Sequence, residues 1–372
     1  MAHVFIVDEK TLPIHLKYQF AGTGARDLKC DFLINMDDSI ASSTERMLTG
    51  MIADISRIRP GDDILFYLRQ NKNHDGMFFG SFKAVDRAFL CDNDYLEEEL
   101  GKNLTFRIRI TPGTVYSNGI TERDCLDSLD GISHPSQMCW SLIYRKLRAN
   151  RGCTMITDFE YEQIMNKIKR RNTGALNSNY YDYDKESNQI IVSDSSYEYT
   201  GNEKSLDIKN RLLYKLNSGR AYETHLQAYI VQNLHSIADL KINDANISWI
   251  GNEVSCGVGM QSIDVSFIQE DNNEVNFVIC ELKDEQPIQY IQKQIEKYVS
   301  WLIDYIVPNY NKKIIIHPTI IAPKPKSKTE NMIKNIINST VSNSNNLEVK
   351  SIRYIAFSND GNNLIFKNVK FE

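Results

Sequence analysis

The sequence predicts a two-domain protein of α/β (α+β) class, and three observations carry that prediction. Short runs of β-branched and aromatic residues alternate with turn signals through the first half. A polar stretch then interrupts the chain, and beyond it the apolar periodicity runs helix, three strands, helix, strand, helix, strand. At 372 residues, 42% of them hydrophobic, the chain is long enough to bury a core in each of two domains of ordinary size.

Residues 1–171 form the first predicted domain. Its strands are HVFIV, DILFYL, MFFGSFKAV and LTFRIRI, punctuated by Pro60-Gly61-Asp62, Asp75-Gly76 and Asn118-Gly119. Helices are expected at SSTERMLTGMIADISRI, where Met47, Met51, Ile52 and Ile55 share a face, and at SQMCWSLIYRKLRA. Together these read as a mixed sheet curled into a small β-barrel with helices packed on it. Residues 172–206 are rich in Asn, Ser, Tyr and Asp and read as a linker, with a hairpin around 190–193 as the alternative.

Residues 207–372 form the second predicted domain. AYETHLQAYIVQNLHS places Leu226, Ile230 and Leu234 at helical spacing, and strands follow at ISWI, SIDVSFI and NFVICEL. A long helix over about 287–306 carries Ile291, Ile295, Tyr298 and Leu302 on one face. The unbroken apolar run IIIHPTIIA predicts a strand buried on both faces. MIKNIINST and IRYIAF supply a further helix and strand, and Asp360-Gly361 a hairpin turn into the tail.

Composition narrows the function. No window approaches ~18 consecutive apolar residues, so no membrane span is expected. The opening MAHVFIVDEKTLP has too short an apolar run for a secretory signal, so a cytoplasmic location is expected. Seven scattered cysteines without a Cys-x-x-Cys pair argue against a disulfide frame or a structural zinc. The net charge of −5 gives no global attraction to nucleic acid, but basic residues cluster locally. Arg145, Lys146, Arg148 and Arg151 form one group, Lys167, Lys169, Arg170 and Arg171 the next, and Lys312, Lys313, Lys324, Lys326 and Lys328 a third. A solvated helix face is the plain reading of each.

Chemistry concentrates in the second domain. Asp264 alternates with Ile263 and Val265 on a predicted strand, and Glu281 and Lys283, two apart, share a face of the next. Paired as a hairpin across EDNNE, the two strands bring all three side chains to one edge of the sheet. Two carboxylates and the Leu282 carbonyl are hard oxygen donors of the kind Mg²⁺ prefers. Lys283 is then placed to orient or deprotonate the attacking water and to offset charge on phosphoryl oxygens. Glu223 lies one turn before Leu226 on its helix's apolar face, where a carboxylate is costly without a partner. Gln294 faces inward with Ile291 and Tyr298, and Glu253 is a supporting acid upstream of Asp264.

Residues 222–357 resemble the PD-(D/E)XK nucleases, most closely the RecB-like domain of the mismatch endonuclease NucS group. The matching stretches are YETHLQAYIVQNL, GMQSIDVSF, FVICELKDE, QKQIEKYVSWL and HPTIIAPKP. The resemblance implies an αβββαβ core, with Asp264, Glu281 and Lys283 catalytic and Glu223 and Gln294 in the flanking active-site motifs. It implies Mg²⁺, with Mn²⁺ substituting, held by Asp264, Glu281 and the Leu282 carbonyl. The strand carrying Asp264 lacks the proline of the superfamily's name, a frequent variation.

RIRPGDDILFYLRQ followed by GMFFGSFKAV resembles the core of EVE and wider PUA-like domains, which bind nucleic acid and often a modified base. On that resemblance Phe66, Tyr67, Phe79 and Trp140 are candidate walls of a base pocket, and Arg145, Lys146, Arg148 and Arg151 candidate phosphate contacts. Gly22, Gly24 and Arg26 in FAGTGARD are a further, weaker phosphate loop. The combined expectation is a Mg²⁺-dependent endonuclease on double-stranded DNA, a restriction enzyme directed by a modified base. The alternatives are a restriction enzyme reading unmodified sequence, a NucS-like mismatch-repair nuclease and a non-catalytic nucleic-acid-binding protein. Cutting both strands with one centre per chain implies a homodimer, with Trp301, Ile303 and Ile306 offering a second apolar side of the long helix.

Overall fold

The computed structural model describes residues 1–25, 33, 40–127, 132–139, 152–195, 197–256, 262–285, 290–337, 342–344 and 346–371. The chain forms two compact units, Met1–Leu206 and Asp207–Glu372, each of mixed α/β structure.

The first unit runs β1 (Ala2–Val7), α1 (Thr11–Tyr18), β2 (Phe20–Thr23), α2 (Ser42–Ser56), β3 (Asp63–Leu68), β4 (Met77–Ala84), β5 (Phe89–Leu90), α3 (Glu97–Leu100), β6 (Phe106–Thr121), α4 (Glu122–Leu126), β7 (Thr154–Ile156), α5 (Asp158–Arg170), β8 (Tyr181–Asp184) and β9 (Gln189–Val192). The strands form one mixed sheet in the order β7-β1-β3-β4-β6-β9-β8, with β2 and β5 on the other segment of β6. Only β1 and β3 pair in parallel among the described strands of this sheet. The 16-residue β6 is the common member, and its pairing with β4 is bulged on both sides of Gly80. Gly80 sits at φ 142°, and a Cβ there would lie 2.4 Å from the Thr114 carbonyl oxygen, so the bulge requires glycine. The sequence predicted a barrel; among the described residues β7 and β8 do not pair, so the sheet stays open.

The stretch read as a linker, 172–206, is instead part of the first unit. Its β8–β9 hairpin extends the sheet past β6, and Lys204 bridges to Leu90. The physical reason is its tyrosines. Tyr181 and Tyr183 alternate onto one face and are buried, their hydroxyls donating to the Leu176 carbonyl at 3.2 Å and Asn188 Oδ1 at 2.8 Å. Tyr199 enters the core beside Phe20 and Phe89 and accepts from the fully buried Arg107 at 3.1 Å. A composition that is polar on average thus hides an aromatic stripe.

The second unit runs α6 (Lys209–Asn217), α7 (Glu223–Asn233), β10 (Ile247–Ser255), β11 (Ser262–Glu270), β12 (Glu274–Leu282), α8 (Tyr290–Tyr305), β13 (Lys313–Pro323), α9 (Ser327–Ile337), β14 (Ser342–Ser344), β15 (Leu347–Val349), β16 (Arg353–Asn359) and β17 (Leu364–Asn368). Strands β10, β11 and β12 form an antiparallel meander, and α8 carries the chain over to β13, which pairs with β12 in parallel. The first half of β13 pairs with β15 and its second half with β16, so β13 is enclosed on both edges. Residues 314–322 are all buried, which explains the unbroken apolar run. Helix α6 and the short β14–β15 hairpin were not predicted from the sequence.

Helix α8 does not keep a second open apolar side along its whole length. Trp301 is buried, packed beside Tyr305, and Ile303 and Ile306 are half-buried. No helix among the described residues is long and apolar enough to cross a membrane. The six described cysteines form no disulfide and are buried, and Cys30 lies outside the described residues.

Candidate active site

The register of the meander builds the site. Val265 pairs with Cys280, which sets Asp264 across from Glu281; Asn252 pairs with Val265 and Val254 with Ile263, which sets Glu253 across from Asp264. Three acids therefore form one row over β10, β11 and β12. Glu223 joins them from the first turn of α7, where the helix N-terminus favours a carboxylate.

Lys283 ties the row together. Its Nζ donates to Glu281 Oε1 at 2.6 Å and to the Leu282 carbonyl at 2.8 Å. Asp264 Oδ2 accepts from the Leu282 N–H at 2.7 Å. The predicted metal donors are thus linked through the Leu282 peptide and the Lys283 ammonium.

The electrostatics are those of an acidic cluster short of positive charge. Burial, then repulsion from Glu281, raises the Asp264 carboxyl well above its usual range. Burial also raises Glu281, opposed by Lys283, Tyr298 and Gln294, and raises Glu223, opposed by Lys283. Burial alone would lower Lys283, but Glu281, Asp264 and Glu223 outweigh it and hold the ammonium protonated above its usual value.

Two helix residues not predicted as site members hold this arrangement in place. Tyr298 donates to the Ser262 carbonyl at 2.8 Å and lies 3.1 Å from Glu281 Oε2, and Gln294 donates to its hydroxyl. From α7, Gln227 Nε2 donates to Glu253 Oε1 at 3.0 Å and to the Asp264 carbonyl at 2.9 Å. Ser262 Oγ donates to Glu253 Oε2 at 2.7 Å. Glu253 holds φ 49° in mid-strand, a left-handed conformation unusual for a non-glycine residue and a mark of local strain. In sequence, Tyr298 reads as one more member of an apolar stripe and Gln227 as a neutral helix position.

The donor chemistry fits a divalent cation. The Lys283 ammonium lies between Glu281 Oε1 and the Leu282 carbonyl, and the half-buried Asp264 and buried Glu281 repel one another beside it. Among the described residues no group of three or more His, Cys, Asp or Glu side chains is arranged to hold a metal ion. The set here is two carboxylates and a main-chain carbonyl, which leaves coordination positions to water and substrate, as Mg²⁺ commonly has them.

The first unit's predicted pocket residues fall elsewhere. Phe66 packs on His15 and Phe82, Tyr67 on Phe78 with its hydroxyl donating to Glu122 Oε2 at 2.7 Å, and Phe79 on Tyr183. All three are buried, so they are core side chains and not walls of an open base pocket. Trp140, Arg145, Lys146, Arg148 and Arg151 lie outside the described residues, as does Arg26. The sequence matches no protein-family model, and no curated protein matches it.

Proposed function

We propose that the second unit is a Mg²⁺-dependent deoxyribonuclease of the PD-(D/E)XK type and that the first unit directs it on double-stranded DNA, most simply to a modified base. The observation that carries this reading is the convergence of Asp264, Glu281 and Lys283 on the Leu282 main chain: Asp264 accepts from its N–H, and Lys283 donates to its carbonyl and to Glu281. Asp264, Glu281 and that carbonyl would hold the cation, which when bound supplies Lewis-acid polarisation of the scissile phosphate. Lys283, kept protonated by its acidic neighbours, faces the charge that builds on the phosphoryl oxygens and orients the attacking water. Gln294 and Tyr298 fix the Glu281 carboxylate, and Glu223 adds negative charge at the rim.

The test is digestion of matched plasmids grown with and without cytosine or adenine methylation, and of mismatched duplexes, in Mg²⁺, Mn²⁺ or EDTA. Cleavage of modified plasmid alone, abolished by EDTA and restored by either ion, is the expected result. Cleavage of both plasmids assigns a reader of unmodified sequence, cleavage confined to mismatched duplexes a repair enzyme, and no cleavage in any arm refutes the nuclease reading. One such centre cuts one strand, so double-strand breaks imply a homodimer.

A further inference from the structure

Helix α5 carries two distinct stripes. Glu160, Ile164 and Ile168 face the core, and Ile164 and Ile168 join the cluster around Leu65, Phe78 and Ile120. Phe159, Gln163, Asn166, Lys167 and Arg170 recur at the spacing of a second face and line a cavity of about 390 Å³. That volume lies within the range of ~300–1,000 Å³ found for small-ligand sites. The opposite wall includes Gln137, whose Oε1 accepts from the Ser133 and His134 N–H groups at 2.7 and 3.1 Å. Its amide nitrogen is therefore the end available to a ligand. Cys125 and Cys139, both buried, also line it; burial pushes the Cys125 thiol up to about 12 and raises Cys139 as well, so these two are neutral at ordinary pH.

The lining has an order. An aromatic ring starts the helical stripe, carboxamides follow, and two cations end it at the C-terminal turn. A ring offers a stacking face, carboxamides pair with the mixed donors and acceptors of a heterocycle edge, and Arg with Lys receives an anion. Lys167 is anchored meanwhile by donating to the Asp124 carbonyl at 3.2 Å, so it is a placed charge and not a loose one. We infer that this cavity on α5 binds a nucleotide, with the base against Phe159 and between Gln137, Gln163 and Asn166, and the phosphate at Lys167 and Arg170. The choice of ligand class rests on the nucleic-acid reading above. The same chemistry has two sources, a free nucleotide and a nucleotide extruded from DNA.

The full-length chain, titrated calorimetrically with the four deoxynucleoside 5′-monophosphates, the four deoxynucleosides and deoxyribose 5-phosphate, tests this without any cleavage step. At least one nucleotide should bind about tenfold tighter than the base-free sugar phosphate, and Phe159→Ala or Gln163→Ala should remove that difference. Arg170→Ala, at an exposed position, should weaken the nucleotide but not the nucleoside, and it serves if Phe159→Ala misfolds. A second arm uses duplexes carrying 2-aminopurine: a fluorescence rise lost in Phe159→Ala identifies the DNA source, and its absence alongside mononucleotide binding identifies the free one. No preference for any base over deoxyribose 5-phosphate together with no fluorescence rise, or variants that bind like wild type, would overturn the inference. Because mononucleotide binding requires no hydrolysis, a failed nuclease assay leaves this result standing.

Discussion

Gln227 is the residue on which helix and sheet are brought into register at the acidic row, because one amide nitrogen reaches both Glu253 and the Asp264 main chain. Gln227→Ala strips a hydrogen bond from a carboxylate and another from a strand carbonyl. It should cost about 1–3 kcal/mol in denaturant unfolding, and it should slow cleavage by displacing Asp264. Tyr298→Phe removes a hydroxyl from Ser262 and Glu281 but keeps the packing. Its expected effect is a roughly tenfold lower single-turnover rate, about the ~1.5 kcal/mol of one hydrogen bond to a charged group, together with a stability loss of about 1–3 kcal/mol. Asp264, Glu281 and Lys283 were legible in the sequence because strand alternation alone fixes which side chains share a face. Gln227 and Tyr298 were not, since an inward glutamine or tyrosine on an amphipathic helix looks like any core contact until the strand facing it is known.

At the scale of elements, β13 is the most constrained strand, enclosed by β12, β15 and β16. Ile316, fully buried at its centre, should cost about 2–5 kcal/mol as Ile316→Ala in equilibrium unfolding. Buried histidines with lowered pKa, His3 and His15 in the first unit and His317 in the second, make each unit acid-sensitive. Burial pushes His15 in the first unit down to about 3, and burial, with Arg353 and Lys350, pushes His317 in β13 down to about 4. The folded state then binds fewer protons than the unfolded chain below the ordinary value of 6.5. Stability is full above pH 6.5 and declines as pH falls toward 4 for His317 and 3 for His15. Melting curves between pH 7 and 4 should show that decline, and His317→Gln, which cannot titrate, should lessen it by His317's share. The meander, the crossover helix and β13 were legible because their apolar patterns are strong. The β8–β9 hairpin was not, because its burial rests on tyrosines spaced within a polar stretch.

For the whole molecule, the two units divide the proposed work: the second carries the acidic row and its lysine, and the first carries the α5 cavity. On the proposed reading, a chain of net charge −5 would have to engage DNA through local basic faces, so its binding should fall steeply as salt rises. Light scattering with and without DNA should find a dimer wherever both strands are cut; double-strand cleavage by a strict monomer would contradict that expectation. The most direct measurement is single-turnover cleavage of the preferred DNA in Mg²⁺ by wild type and by Lys283→Ala, with DNA binding followed in parallel. Lys283→Ala should lose on the order of 10²–10³ in rate or more while binding stays near wild type. A Lys283→Ala protein that cuts at the wild-type rate would show that the Asp264–Glu281–Lys283 cluster is not the catalytic centre.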